Sequence, residues 1–592
     1  MRLKRLFLGI LLSAIFVNII ASNYNPESIS ISLKVPGNKA RCYPLALQKY
    51  QDGVYKCQSS EKLPLVITRQ VVNQNGMQRI NVVIKALETV YFNYGEQIET
   101  GYKHSDCQFY MPGFWYRRNL RSPENTPSFK ISDSWLVRED RLSTPLTAVF
   151  CSSKAKSMSV IRLDKFDKEA LTTHKEGEVI VSGETSIGYT GFENVGGMTV
   201  LSYGFPYKEA PRTYIRKLTL APSVEAFQFL CKGDSITLAW ELSEIDVADF
   251  SECVQRTWEY CYDTYRPQSF NASYTADRMK EVLSNFFVDS YVDSTPTHYY
   301  SGVGLKTLTC DKTDVAEVGF LGRTLLNAFN ALEYGSLQNR SELVKDANNI
   351  FETYLSHGFS PAGFFNEVVR FHRDSKESNF SIRRQSEGVY AILSYLDYEK
   401  KHKRKHVEWE KRLKVILDNF LRIQKTDGSF PRKFKDDFSI VDSTGGSTPS
   451  VTLPLVMAYK YFNDKRYLES AKRSANYLEN EIISKSDYFS STLDANCEDK
   501  EASLYAATAT YYLALVTKGS ERLHYAELCK KAAYFALSWY YTWDVPFAKG
   551  QMLGDIGLKT RGWGNVSVEN NHIDVFVFEF ADVLRWLSKE FN

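Results

Sequence analysis

The chain has 592 residues, more than one hydrophobic core usually holds, so two or three domains are expected. Hydrophobic residues make up 43% and charged residues 24%, as in ordinary globular proteins, while aromatic residues reach 14%. The net charge is only +3 and is spread along the chain without a basic tail or block, which argues against a nucleic-acid partner.

The first predicted element is a secretory signal peptide over residues 1–22. Three basic residues at positions 2, 4 and 5 precede an apolar stretch over residues 6–20, and two small residues follow. A membrane anchor is the alternative, but the stretch is shorter than the ~20 apolar residues that span a bilayer. We therefore expect a secreted or periplasmic protein without stable membrane insertion.

The sequence predicts neither a metal nor a cofactor. Its ten cysteines would be free to pair in an oxidising compartment, but they form no CxxC pair and no Cys/His cluster at zinc spacing. The motifs of phosphoryl transfer, nicotinamide binding, serine hydrolysis and zinc proteolysis do not occur in a supporting context.

Residues 23–250 are predicted to form an antiparallel β-sandwich. In the clearest run, residues 235–242, Ile236, Leu238, Trp240 and Leu242 fall on one face, as in a half-buried strand. Many short strands of this kind suggest a large sandwich. Similar runs occur at residues 80–85, 134–137, 147–151, 158–163, 178–182, 199–203 and 214–220.

Residues 251–273 are predicted to be an aromatic linker, and residues 274–592 a catalytic (α/α)6-type toroid. Beyond Phe250 the hydrophobic period changes from two to 3.6, which indicates amphipathic helices. The helices are predicted at residues 274–289, 315–334, 342–356, 384–401, 407–425, 450–462, 467–483, 500–517, 521–541 and 571–589.

The connectors between these helices alternate between short and long, the long ones being residues 358–383, 426–449, 484–499 and 543–570. Antiparallel helices wound into a ring place every second connector on the same rim, so one rim would carry the long loops and a binding cleft. A stacked helical solenoid is the alternative, although it gives no reason for long, charged and aromatic loops on one side.

Glu387 and Asp499 are the candidate catalytic pair, because each lies near a predicted helix start after a long connector. Cleavage of a glycosidic bond needs a carboxylic acid and a second carboxylate, about 5 Å apart for retention and about 6.5–9.5 Å apart for inversion. Acidic residues also favour helix starts for purely structural reasons. The competing carboxylates are Glu317, Asp494, Glu498, Glu501 and Glu569.

Five residues on the same connectors are predicted to bind substrate. Trp563 between two glycines resembles a platform for a sugar ring, or it fills the centre of the toroid. His572 would bind substrate or carry a proton near neutral pH. The rim is rich in Arg and Lys, which would suit a uronic acid or a sulfated sugar, although exposed basic residues are usually only solvated. The five residues are Arg384, Arg561, Trp563, Asn571 and His572.

Four features of the chain suggest a family resemblance. They are the domain order, the aromatic bridge at residues 258–267, the alternating connectors and the sequence Asp427-Gly428-Ser429-Phe430-Pro431. The chain resembles exported bacterial glycoside hydrolases and polysaccharide lyases that join a β-sandwich to an (α/α) toroid. In broad organisation it is similar to the β-glucuronidase-like hydrolases of glycoside hydrolase family 154. The resemblance covers nearly the whole mature chain and implies an enzyme that degrades a glycan.

The predicted function is therefore hydrolysis of a glycosidic bond by two carboxylates in a complex polysaccharide or oligosaccharide, for which a uronic acid is one candidate sugar. A lyase or epimerase acting on a uronate is the first alternative, for which Tyr390, His572, Asn571 and Arg384 would supply the base and the neutralising groups. A glycan-binding protein without turnover is the second alternative.

Overall fold

The computed structural model describes residues 26–74, 76–164, 166–170, 176–265, 274–294, 297–301, 303–306, 309–312, 315–320, 322–370, 378–491, 493, 496–577 and 579–591. The predicted signal peptide and Asp494 lie outside the described residues. Within those residues seventeen strands come first, followed by twelve helices and eleven shorter strands.

The seventeen strands precede every described helix of more than one short turn. They are β1 (Pro26–Lys34), β2 (Arg41–Gln51), β3 (Val54–Gln58), β4 (Leu65–Gln74), β5 (Met77–Ala86), β6 (Val90–Lys103), β7 (Cys107–Met111), β8 (Trp115–Arg117), β9 (Trp135–Arg138), β10 (Leu146–Cys151), β11 (Lys156–Arg162), β12 (Gly177–Ile180), β13 (Tyr189–Val195), β14 (Met198–Phe205), β15 (Lys208–Arg216), β16 (Thr219–Leu230) and β17 (Ser235–Asp246).

The helices then follow one another to the end of the described chain. They are α1 (Phe250–Thr264), α2 (Ala276–Ser290), α3 (Thr324–Gln338), α4 (Ser341–His357), α5 (Ile382–Lys401), α6 (Val407–Ile423), α7 (Pro449–Phe462), α8 (Lys465–Tyr477, continued as the π-helix Leu478–Ile483), α9 (Lys500–Val516), α10 (Gly519–Leu537), α11 (Met552–Asp555) and α12 (Phe580–Phe591).

The shorter strands lie in the connectors of the helical part. They are β18 (Tyr291–Ser294), β19 (Thr297–Tyr300), β20 (Val303–Lys306), β21 (Thr309–Lys312), β22 (Val315–Glu317), β23 (Val368–Arg370), β24 (Asn379–Ser381), β25 (Lys433–Lys435), β26 (Ile440–Asp442), β27 (Gly564–Asn565) and β28 (Ile573–Asp574).

The first seventeen strands pair in two series. One series runs β3, β4, β5, β17, β11, β10, β7 and β8. The other runs β1, β6, β14, β13, β9, β15, β16 and β12, and β2 pairs with both β1 and β3. Side chains of both series, such as Ile84 and Tyr203, pack in one core. The structure thus shows a large β-sheet region, and its description as a sandwich stays a prediction.

The alternating sequence pattern located seven of the seventeen strands, namely β5, β9, β10, β11, β12, β14 and β17. The run predicted at residues 235–242 is confirmed as part of β17, in which Leu238, Trp240 and Leu242 are buried. The single strand predicted at residues 214–220 is wrong, because Leu218 takes a left-handed φ of 54° in the turn between β15 and β16.

Alternate helices of the second part contact one another. The helices α3, α5, α7 and α9 pack side by side in that order, while α4, α8 and α10 each pack against the helix that precedes them. The last helix, α12, packs against α9 and α10. The first turns of α5 and α9 contact each other through an ion pair, so these two helices begin on the same side.

Two predicted helix starts are wrong, and both errors arise from short strand pairs. The helix predicted from residue 315 begins at Thr324, because β22 pairs with β23. The helix predicted from residue 571 begins at Phe580, because β28 pairs with β27. In the segment predicted as a linker, α1 extends to Thr264, and residues 266–273 lie outside the described residues.

The strand region and the helices meet around the end of α10. The hydroxyl of Tyr116 lies 2.9 Å from Ser538 Oγ, and Ser143 Oγ donates to the carbonyl of Ser538 at 2.6 Å. The indole of Trp543 donates to the carbonyl of Leu142 at 3.0 Å. Strand residues also take part in the main core of the helices, so apolar and polar contacts together join the two regions.

Among the described helices, none combines the length and the apolar character that crossing a membrane requires. The described part of the chain also contains no group of three or more side chains suited to hold a metal ion.

Candidate active site

A buried arginine joins the first turns of α5 and α9. Arg383, whose side chain is 0% exposed, donates from Nε to Glu387 Oε1 at 2.9 Å. Its Nη1 donates to Glu501 Oε2 and to the carbonyl of Ser491. Two sets of ion pairs lie here, one through Arg383 and Arg323 and one through the adjacent Arg384. Together we call them the charged cluster: Glu317, Arg323, Glu367, Arg383, Arg384, Glu387 and Glu501.

Glu387, the first predicted catalytic carboxylate, is surrounded by donors. Its Oε1 accepts from Arg383 and from the hydroxyl of Tyr505, while its Oε2 accepts from the N–H of Phe320 and lies 3.5 Å from Arg323 Nε. Burial acts to raise the pKa of Glu387, but the two arginines and the hydrogen bonds bring it below its ordinary value. Glu387 is therefore suited to hold positive charge in place and poorly suited to protonate a leaving group.

Gly319 allows the N–H of Phe320 to reach Glu387. A Cβ at position 319 would lie 2.8 Å from Glu387 Oε2 and 2.9 Å from the Cα of Arg384. We expect Gly319→Ala to lower the free energy of unfolding by about 1–3 kcal/mol, because backbone atoms of α5 would have to move. Urea denaturation measures the change. The control Gly183→Ala, whose Cβ would meet one methyl carbon at 3.4 Å, should be neutral, and equal losses in both variants would contradict the argument.

Asp499, the second predicted catalytic carboxylate, caps α9. Its Oδ1 accepts from the N–H of Ala502 at 2.6 Å and its Oδ2 from the N–H of Ser491 at 2.7 Å, and the residue is fully buried. Burial and the neighbouring Glu501 raise the pKa of Asp499 to about 7. The capping geometry is the structural role that acidic residues often have at helix starts, while the raised pKa keeps a proton available near neutral pH.

We expect Asp499 to make the stability of the protein depend on pH. Since its folded-state pKa of about 7 lies above the ordinary 3.8, the folded protein binds this proton more tightly than the unfolded chain does. The contribution to stability is therefore present at acid pH and is lost as the pH rises to about 7. Free energies of unfolding of wild type and Asp499→Asn from about pH 4 to 8 isolate this effect, since the other carboxylates cancel in the difference. If the difference in free energy of unfolding between the two proteins does not change with pH, the raised pKa of Asp499 is wrong.

A further charge pair, of a buried lysine and a half-buried aspartate, lies beside the charged cluster. Lys500 pairs through Nζ with Asp574, and its N–H donates to the carbonyl of Val566 at 3.0 Å, so residues 564–574 lie against the start of α9. His572 belongs to this segment. Partial burial lowers the pKa of His572 although Asp574 acts to raise it. The imidazole is therefore neutral near pH 7 and able to accept a proton.

Arg384, a predicted substrate ligand, is paired with two carboxylates. Its Nη2 donates to Glu317 Oε1 at 3.1 Å, and its Nη1 lies 3.7 Å from Glu367 Oε2. Each arginine of the charged cluster has a glutamate partner within 4 Å. In the described part of this site, the arginines are thus neutralised by the protein itself, which does not favour the acidic sugar that the sequence suggested.

The other predicted ligands have different surroundings. Trp563 packs in an apolar cluster between the strand region and the segment after α10. Asn571 donates from Nδ2 to the carbonyls of Gly113 at 3.2 Å and Arg141 at 3.0 Å, so its amide joins the two regions. Arg561 pairs with an aspartate at 3.5 Å beside a cavity of about 490 Å³, whose described lining contains none of the charged cluster.

The competing carboxylates divide into two groups. Glu317 and Glu501 belong to the charged cluster. Glu498 accepts from Ser122 Oγ at 2.7 Å and from the N–H of Arg121 at 3.1 Å, which places it in the contact with the strand region. Glu569 is buried, and its carbonyl accepts from the N–H of a residue in the turn before β16.

Sequence reasoning did not select Arg323, Arg383 or Tyr505 as site residues. A usable signal was present for two of them. Arg383 lies four residues before Glu387, and Tyr505 lies four residues after Glu501. Residues four apart share one face of a helix, so each pair presents two polar side chains to the same rim.

No protein-family model and no curated protein matches the chain. Solved structures to which it is similar include a D-mannose isomerase, at 13% identity and a TM-score of 0.35 over 46% of this chain and 72% of that one. An unsaturated glucuronyl hydrolase from Bacillus sp. GL1 has 12% identity and a TM-score of 0.32, over 44% and 72% of the two chains. A polysaccharide lyase has 10% identity and a TM-score of 0.33, over 88% and 86%. These three are sugar-processing enzymes, and likenesses of this size identify no family for the chain.

Proposed function

We propose that this chain is an enzyme that acts on a carbohydrate and that the charged cluster is its active site. The observation that supports this most strongly is Arg383, a fully buried cation that joins Glu387 to Glu501 across two helix starts. A buried ion pair adds little net stability compared with apolar residues of similar size. Because Arg383 and its two glutamate partners lie at the ends of long connectors, a role in catalysis is favoured over a role in stability.

The proposed reaction is hydrolysis of a glycosidic bond. Glu501 is the proposed carboxylate that meets the sugar, with its Oε2 held by Arg383. Asp499 lies two residues before Glu501, and its pKa is raised to about 7 in part by that neighbour. Asp499 is thus the proposed source of the proton, and Glu501 is the proposed second carboxylate that hydrolysis needs. In this proposal Glu387 is a positioning residue that holds Arg383, in contrast to its role in the sequence prediction.

Aromatic rings around the charged cluster support a sugar as the ligand. The guanidinium carbon of Arg383 lies 5.0 Å from the ring centre of Phe320 and 5.5 Å from that of Tyr505. The guanidinium carbon of Arg323 lies 4.5 Å from the ring centre of Phe576. Ligand sites commonly combine apolar and aromatic walls with a few fixed polar groups. In a sugar site, aromatic rings stack on the C–H faces of the ring and polar groups form hydrogen bonds with its hydroxyls.

The test is a screen of the purified protein against neutral and acidic polysaccharides and aryl glycosides. Hydrolysis releases new reducing ends, or the aryl group, without a product that absorbs in the near ultraviolet. An unsaturated product that absorbs in the near ultraviolet would contradict hydrolysis and show a lyase reaction instead. Saturable glycan binding without any turnover would contradict both reactions and show a glycan-binding protein.

A lyase or epimerase that acts on a uronate is the second candidate, and His572 is the observation that favours it. A neutral imidazole beside the Lys500–Asp574 pair is chemically able to abstract a proton next to a carboxylate. His572→Gln separates the two reactions, since the proton-abstracting enzyme would lose most of its turnover while the hydrolase would lose little.

We further propose that the helices form an (α/α) toroid and that the protein is exported. The side-by-side packing of α3, α5, α7 and α9 supports a ring of inner helices. Membership of glycoside hydrolase family 154 rests on the broad resemblance of the sequence. Export rests on the pattern of residues 1–22, and amino-terminal sequencing of the mature protein tests it by locating the first residue between positions 21 and 23.

A further inference from the structure

We propose that Cys107 and Cys151 form a disulfide bond across the neighbouring strands β7 and β10. The two cysteines are Cα partners in the antiparallel register of these strands. Both side chains are fully buried, and the neighbouring Cys151 thiol acts to raise the pKa of Cys107. They are thiols in the structure, so the inference concerns the oxidised protein.

The backbone hydrogen bonds show that this pair has the spacing a disulfide needs. The N–H of Ser152 donates to the carbonyl of Asp106 at 3.1 Å, so positions 106 and 152 form a hydrogen-bonded pair. Hydrogen-bonded and non-hydrogen-bonded pairs alternate along an antiparallel ladder. Cys107 and Cys151 are therefore a non-hydrogen-bonded pair, whose Cα atoms lie about 4.5 Å apart with the side chains close together. A disulfide joins Cα atoms that are about 4.4–6.8 Å apart.

Four other described cysteines lack such an arrangement. Cys42 on β2 lies opposite a serine, and Cys57 on β3 lies opposite a leucine and an isoleucine. Cys253 and Cys261 are eight residues apart on α1, about 12 Å along the helix axis, which is too far for a bond between them.

The reaction is a two-electron oxidation. Each thiol gives up its hydrogen, the two sulfur atoms form one bond, and the two electrons and two protons pass to a disulfide oxidant such as oxidised glutathione, which becomes two thiols. In the folded protein, burial raises the pKa of Cys107 to about 12 and suppresses the reactive thiolate. The bond therefore forms while the chain folds, before β7 and β10 are covered.

The bond would close the segment that carries many of the contacts with the helices. Residues 108–150 lie between the two cysteines, and they include Tyr116, Ser122 and Ser143, which bond to Ser538 or Glu498. Cross-linking the base of this segment restricts its freedom in the unfolded chain. The disulfide thus fastens the surface on which the start of α9 rests, independently of which reaction the enzyme catalyses.

Peptide mapping tests the bond directly. The protein is refolded with oxidised glutathione, alkylated with iodoacetamide in denaturant without a reductant, and digested with trypsin. We expect residues 104–117 and 142–154, each with one cysteine, as a single linked peptide lighter by two hydrogen atoms than the sum of the two. Alkylation of both cysteines, or a link from either of them to another cysteine, overturns the proposal.

Thermal unfolding tests the consequence. Wild type refolded with a reductant should have a Tm about 5 °C or more below that of wild type refolded with oxidised glutathione, while Cys107→Ala and Cys151→Ala should each have the same Tm after both treatments. The control Cys253→Ala, which removes a buried cysteine outside the pair, should keep the full effect of the reductant. An equal effect of the reductant on Cys107→Ala and on the wild type overturns the assignment of the bond to this pair.

Discussion

Replacing Arg383 by methionine is expected to lower the free energy of unfolding by about 3–5 kcal/mol and to abolish turnover. Methionine fills the site with a long apolar side chain, but it leaves the buried carboxylates of Glu387 and Glu501 without the cation between them. Removing one partner of a buried ion pair is far more destabilising than replacing the whole pair, because the remaining charge stays desolvated. Chemical denaturation of the purified variant measures the loss.

Two further variants locate the cause of that loss. Adding Glu501→Gln to Arg383→Met should restore part of the stability, since it removes one of the uncompensated charges. The control Arg466→Met removes an arginine whose ion pairs with Asp418 and Asp464 are exposed, and its unfolding midpoint should stay at the wild-type value. A loss in Arg383→Met that the double variant does not reduce would show that packing, and not charge, explains the effect.

Glu501→Gln alone is expected to reduce turnover on the true substrate by about 10²–10⁴-fold. Glutamine still offers an oxygen to Arg383, so the folded structure is expected to persist, but its neutral amide cannot act as the second carboxylate of the proposed reaction. The measurement is the initial rate on the substrate found in the screen, together with the melting temperature of the same preparation.

Glu498→Gln is the matched control for Glu501→Gln. Glu498 lies three residues earlier and contacts Ser122 and Arg121 of the strand region, outside the charged cluster. Its turnover should remain near the wild-type value. Near-normal turnover in Glu501→Gln, or an equal loss in both variants, would remove Glu501 from the reaction.

The same reasoning changes what is expected of Glu387. From the sequence, Glu387→Gln should lose activity without losing stability. In the structure an amide nitrogen at this position would face one of the donors that now point at the carboxylate, namely Arg383, Tyr505, Arg323 and the N–H of Phe320. We therefore expect the variant to lose stability as well as activity.

The sequence predicted the elements whose pattern is local. The alternation in residues 235–242 and the 3.6-residue period after Phe250 arise from one buried face of each strand or helix, so β17 and most of the helices could be located. The positions of Glu387 and Asp499 at helix starts were also visible. The contacts of these two residues were not visible, because an acidic residue at a helix start can be either a cap or a catalytic group.

What the sequence left out depends on contacts between distant segments. The helix predicted from residue 571 fails because β28 pairs with β27, which no local pattern of residues 571–579 indicates. Arg383 was visible only as one of several basic residues on the rim. Its importance comes from Glu501, which lies more than a hundred residues later and meets it through the packing of α5, α7 and α9.

The contacts between the strand region and the start of α9 bear on how such a chain can evolve. Glu498 is bonded to Ser122, and the next residue, Asp499, caps the helix that carries Glu501. Asn571 is likewise anchored to backbone carbonyls of the strand region. A gene rearrangement that attached the helical half to a different partner would remove contacts that hold the start of α9. The two halves are thus expected to be inherited together, and substitutions at positions 122 and 498 should covary among related proteins.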